Sequence, residues 1–65
     1  MSAKILRRGD VLDRTGLSVS TLYYFMKKDR FPRPIKLGVR SVGWLEQDIN
    51  DWIDRCVKDR ERNND

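Results

Sequence analysis

Cys56 is the only cysteine in a chain of 65 residues that has no histidine at all. That single fact removes two of the usual ways to hold a short chain together. No internal disulfide can form, and a structural zinc site has too few ligands to draw on. A chain this short buries only about 60% of its unfolded surface. It must therefore fold around a small apolar core or not fold at all. The hydrophobic content is 38%, which is low, but two Trp, two Tyr and two Phe supply bulky anchors. The expectation is one folded domain over residues 1–65, with a polar tail from about residue 59 that frays.

The same inventory limits function. There is no glycine-rich phosphate loop and no nucleophile with a base beside it, so no catalytic residue, cofactor or metal site is expected. No stretch reaches the roughly 20 apolar residues a membrane helix needs. The first ten residues, "MSAKILRRGD", lack the apolar segment of a signal peptide. The expected compartment is the cytoplasm.

Charge is split unevenly. Residues 1–43 carry ten Lys or Arg and three Asp or Glu, a balance of +7. Residues 44–65 carry four and seven, a balance of −3, and the total is +4. A polyanion is the natural partner for the basic part.

Along the chain, "KILR" reads as a short strand or extended arm that tucks Ile5 and Leu6 under the core. "RGDVLDRT" reads as a short helix with Val11 and Leu12 inward and Gly16 as its left-handed stop. Leu17 packs in the turn, and Ser18 is suited to cap the next helix. That helix is expected from Val19 to about Lys28. At about 100° per residue, Val19, Phe25 and Met26 fall beside Leu22 as a core stripe. Ser20, Tyr24 and Lys27 fall on the opposite side, flanked by Thr21, Tyr23 and Lys28. Two short helices joined by "TGLS" have the form of a helix-turn-helix, whose second helix lies in the major groove. Ser and Thr can contact a base or a phosphate, Lys neutralises phosphate, and Tyr can bond a phosphate or pack on sugar.

Pro32 and Pro34 then hold the chain extended, and Phe31 plugs the exit from the helix. "PIKL" and "SVGW" read as two strands, with Ile35, Leu37, Val42 and Trp44 alternating against Lys36, Ser41 and Gly43. Their connection "GVR" offers Gly38 for a positive φ. Lys36, Arg40 and Ser41 sit on or near this turn. A hairpin tipped with arginine makes a wing that can reach a phosphate or a narrow minor groove. The last segment opens with Glu46 and Asp48, favourable at a helix start. Ile49, Trp52, Ile53, Cys56 and Val57 follow at helical spacing, with Cys56 expected as a small core residue. The fold class is thus mainly α with a small β-hairpin wing.

Plain alternatives stand beside these readings. Ser18 can be only a cap, Lys27 and Lys28 only a solvated helix end, and Tyr23 or Tyr24 a core edge. Arg40 can pair with a carboxylate. Arg7 and Arg8 can touch phosphate or simply be solvated.

The landmarks "TGLS.STLY", "FPRPIKLG.RSVGW" and an acidic "E.DI..WI" helix occur in this order over roughly residues 6–56. In them the chain resembles the AlpA-like regulators of phages and genomic islands. The resemblance implies a winged helix-turn-helix related to MerR regulators and excisionases, and binding of double-stranded DNA. It also implies a role in transcription of integrase or excision genes, or in bending attachment-site DNA as a recombination directionality factor. The family often has a basic or polar residue where this chain has Val19, and arginine where it has Tyr24. Both departures bear on the DNA sequence read. The DNA-facing set is then Ser18, Ser20, Thr21, Tyr23, Tyr24, Lys27, Lys28, Lys36, Arg40 and Ser41. The chain would be a monomer in solution or a cooperative multimer on DNA, with integrase or RNA polymerase as possible protein partners. A reading of another class is a protein-binding adaptor docking through the acidic C-terminal helix.

Overall fold

The computed structural model describes residues 3–62. Six elements follow one another: β1 (Ile5–Leu6), α1 (Arg8–Thr15), α2 (Val19–Lys27), β2 (Ile35–Lys36), β3 (Val42–Leu45) and α3 (Glu46–Arg62). Three helices and a small antiparallel sheet make a winged helix-turn-helix. "KILR" does form a strand, and it pairs with β3 rather than lying free. The sheet therefore has three strands, in the order β1-β3-β2. Ile5 pairs with Leu45 and Leu6 with Trp44 on one side, and Ile35 with Gly43 and Lys36 with Val42 on the other.

The core takes one residue from almost every segment. Leu6 from β1, Val11 from α1, Leu22 from α2, Phe31 from the proline segment, Trp44 from β3 and Ile49 from α3 are all buried. Leu12, Leu17, Phe25, Met26, Trp52 and Ile53 pack around them. With so few core residues, each one is expensive to lose. Truncating a buried tryptophan such as Trp44 costs about 3–5 kcal/mol.

The helix ends follow from local chemistry. Gly16 closes α1 at φ 73°, and its N–H donates to the Leu12 carbonyl at 2.8 Å. Ser18 caps α2, as its type suggests. The helix stops at Lys27, one residue earlier than expected, and Lys28 is the residue after its last turn. The chain then leaves through Asp29 at φ 62°. The Asp29 N–H reaches the Met26 carbonyl at 3.1 Å, and the Arg30 N–H reaches that of Phe25 at 2.8 Å. This is a Schellman stop with aspartate where glycine is usual.

The proline segment is fastened by indoles. The Trp52 N–H donates to the Arg30 carbonyl at 2.8 Å, and the Trp44 N–H donates to the Pro32 carbonyl at 3.0 Å. Phe31 sits between them, edge-on to Trp52 at 4.9 Å and to Trp44 at 6.4 Å between ring centres. Across the molecule, Arg14 of α1 bonds Glu46 at 2.6 Å and Asn50 at 3.0 Å, tying α1 to the first two turns of α3.

Several expectations are corrected. Val19 is exposed rather than core, because it sits in the first turn of α2 where the body has not yet closed over that face. Gly38 does not take a positive φ. In the wing the alternation is displaced: Leu37 and Val42 are exposed, while Gly43 is buried. The reason is β1, which covers Gly43 with Ile5. Cys56 is exposed as well, and so is Val57. The apolar stripe of α3 continues beyond the body that covers it. The helix itself runs to Arg62, past the point where fraying was expected, and residues 63–65 of the expected tail lie outside the described residues.

Candidate nucleic-acid interface

The second helix is built so that one face is used up and the other is left over. Leu22 is fully buried, and Phe25 and Met26 are half-buried beside it. Ser20, Tyr23, Tyr24, Lys27 and Lys28 are exposed, and α3 does not cover them.

The start of this helix is ordered by two hydroxyls. Ser18 Oγ accepts from the Thr21 N–H at 3.2 Å and donates to Thr21 Oγ1 at 2.9 Å. Thr21 is half-buried. Ser18 is thus a cap, and both hydroxyls are already engaged with each other. Ser20 is the hydroxyl of the first turn that makes no hydrogen bond among the described residues. That turn contains no acidic residue, so its positive dipole end is not neutralised from within.

The aromatic pair is held in two different ways. Tyr23 is 47% exposed, and its phenol oxygen accepts from Arg8 Nη1 at 3.2 Å. Tyr24 is 56% exposed, with its ring 6.0 Å from that of Phe25. Lys28 Nζ stands 5.7 Å from the Tyr24 ring centre. An ammonium in that position is attracted to the ring face. Tyr24 and Lys28 therefore present a joined flat and cationic surface next to Lys27.

Arg8 was only a marginal candidate from sequence, and the structure joins it to the leftover face. No local pattern signals it, since Arg8 and Tyr23 are fifteen residues apart and on different helices. Arg14, equally basic, is spent on Glu46 and Asn50.

The wing holds the other three residues. Lys36 is exposed on β2 and Arg40 is exposed at the tip. Neither takes part in an ion pair among the described residues. Ser41 is half-buried, and its carbonyl closes the tip by accepting from the N–H groups of Leu37 at 2.7 Å and Gly38 at 3.2 Å. Among the described residues no His, Cys, Asp and Glu cluster could hold a metal ion, and no helix is long and apolar enough to cross a membrane.

Comparison with known proteins agrees with this geometry. The family model of the prophage CP4-57 regulatory protein, AlpA, matches residues 4–57. The chain is 39% identical over 63 residues to the DNA-binding transcriptional activator AlpA of Escherichia coli (strain K12), a match that spans 88% of this chain and 90% of that protein. It is 34% identical over 62 residues to the uncharacterized protein ORF88 of Enterobacteria phage P4, spanning 95% of this chain and 70% of that protein. No solved structure matches it significantly. With its helix-turn-helix, its wing and a family match over most of its length, the chain belongs to the AlpA family of prophage regulatory proteins.

Proposed function

We propose that this protein is a sequence-specific double-stranded DNA-binding regulator that lays α2 in the major groove. The observation that carries the reading is the division of α2: Leu22 beneath is fully buried, while Ser20, Tyr23, Tyr24, Lys27 and Lys28 above it are left open. The similarity to a DNA-binding transcriptional activator points the same way.

The mechanism follows from the groups present. The N–H groups of Val19 and Ser20 have no partner inside the helix and can meet a phosphate at its N-terminus. Lys27, Lys28 and Arg8 supply phosphate charge, and the Arg40 tip supplies it from the wing. Ser20 and Tyr24 are the side chains placed to read base edges. One module of this size covers roughly 600–1,000 Å² of protein surface, which reads few base pairs. Several copies on repeated sites are the natural route to specificity. In this role the protein would control integrase expression or prophage excision. A second reading, an architectural excision factor acting at attachment sites, uses the same contacts and differs in where they are made.

About five phosphate contacts give a slope near −4 to −5 in log K against log salt. The test is a salt series of duplex binding by fluorescence anisotropy, paired with mapping of binding sites in the host genome. A slope near zero would remove the electrostatic basis of the proposal. Sites at a promoter favour transcriptional control, and sites confined to attachment regions favour excision.

A further inference from the structure

The wing ends in a side chain that the fold does not use. Val39 is 92% exposed, and the other large hydrophobics left at the surface range from 40% to 56%. Leu37 and Val42, behind it on the same hairpin, are also among them. A single exposed valine is ordinary on a protein surface. The setting of this one is not. A loop that only reverses the chain draws on Gly, Asn, Asp, Ser or Pro, each with a turn-forming reason that valine lacks. The base of the tip is pinned, because the Leu37 and Gly38 N–H groups both donate to the Ser41 carbonyl. Val39 and Arg40 are thereby held out from the body.

Gly38 adds a second observation. It takes no positive φ, and a Cβ placed on it would meet nothing closer than Ser41 Cβ at 4.0 Å. Neither backbone conformation nor crowding inside the protein requires glycine there. What glycine does is keep one flank of Val39 bare, so that the tip is narrow. Lys36 and Arg40 are exposed on either side of it in sequence. An exposed apolar tip, with one cation next to it and another three residues earlier on the same hairpin, suits the B-DNA minor groove, which is about 6 Å wide, with phosphates along its rims and sugar and base edges within.

We propose that Val39 is an apolar wedge which enters the minor groove beside the α2 site, with Arg40 and Lys36 on the rim phosphates, and partly unstacks the base step it meets. Apolar side chains inserted in this way kink a duplex and are strongest at flexible pyrimidine–purine steps. The inference rests on the reading of α2 and the wing as a duplex-binding face. It adds a contact that is neutral, so that its loss has a signature different from the loss of a cation.

The experiment uses the full chain and a 30-base-pair duplex enriched from a random pool by that chain, with 2-aminopurine scanned through it. Val39→Ser is expected to weaken binding about tenfold while leaving the salt slope unchanged, since no charge is lost. Arg40→Ala is expected to flatten the slope by about 1. The wild type should raise 2-aminopurine fluorescence at one step, and Val39→Ser should abolish that rise. An iron chelate tethered through Val39→Cys, in a Cys56→Ser background, should cut with the 3′-offset pattern of a minor-groove source. Val39→Ser binding within twofold of wild type, or a 5′-offset cutting pattern, would overturn the wedge. Failure of the wild-type chain to bind any duplex at low salt would instead overturn the underlying DNA-binding reading. Thermal unfolding of Val39→Ser should match the wild type, because the side chain is free of the core.

Discussion

Arg8 and Tyr23 meet across the helix-turn-helix, guanidinium to phenol at 3.2 Å. The bond joins the first residue of α1 to the open face of α2, and both side chains are exposed. An exposed bond of this kind adds little to folding. Its consequence is positional, because it holds a cation beside the α2 face instead of letting it sweep through solvent. Arg8→Ala is therefore expected to leave the melting temperature nearly unchanged. It should lower duplex affinity several-fold and reduce the salt slope by about 1. Tyr23→Phe removes the bond but keeps the charge, and should weaken binding less, with the slope preserved. An unchanged slope in Arg8→Ala would show that Arg8 does not reach phosphate.

Lys27 and Arg14 make a matched contrast between two basic residues. Lys27 lies on the open face of α2, while Arg14 is spent on Glu46 and Asn50 between helices. Lys27→Ala should weaken binding on every duplex alike and flatten the salt slope by about 1, with little effect on folding. Arg14→Ala should do the reverse. It leaves Glu46 without its partner and lowers stability by about 1 kcal/mol, discounted because the pair is partly solvated. Its salt slope on DNA should stay at the wild-type value. Anisotropy titrations and denaturant unfolding on the same two variants check both halves.

Gly43 marks where β1 presses on the wing. A Cβ there would lie 2.5 Å from Ile5 Cγ2, 3.0 Å from the Leu6 carbonyl oxygen and 3.1 Å from Leu37 Cδ1. The isoleucine and leucine ends can shift, but the carbonyl belongs to a paired strand and cannot move freely. Gly43→Ala should cost about 1–3 kcal/mol by overpacking. For a domain of this size that is a fall in melting temperature of about 4–8 °C per kcal/mol. A melting temperature equal to wild type would mean that β1 is not seated against β3 as described.

The elements whose cause is local were readable from the sequence. Gly16 and Ser18 announce the turn between α1 and α2 by their own backbone and hydroxyl chemistry, and Leu22 defines the buried side by helical spacing. The same spacing failed for Val19, because periodicity gives direction and not how far the body extends along the helix. It failed again at Cys56 and Val57 for that reason at the other end of the chain. Gly43 and Val42 exchanged expected roles because β1, forty residues away, adds a third strand, and a two-strand pattern has no knowledge of it. The open face of α2 was legible as a set, since Ser20, Tyr24 and Lys27 share one side. The engagement of Thr21 by Ser18 and of Tyr23 by Arg8 was not, because each depends on a side-chain partner chosen in three dimensions.

Asp29 shows a departure that can be turned into a gain. It occupies the left-handed position after α2 at φ 62°, where a side chain crowds its own backbone and glycine does not. Its carboxylate lies 3.6 Å from Arg33, but both groups are largely exposed, so the pair is worth little. Asp29→Gly removes the strain and keeps the two Schellman hydrogen bonds made by the backbone of residues 29 and 30. Glycine is also the more flexible residue when unfolded, which offsets part of the benefit. The net expectation is a gain of about 0.5–1 kcal/mol. Asp29→Ala keeps the strain, loses the carboxylate and should be no more stable than wild type. The comparison is read by thermal and urea unfolding of the two variants. If Asp29→Ala stabilises the chain as much as Asp29→Gly does, the carboxylate at the negative end of α2, and not backbone strain, is what limits this helix end.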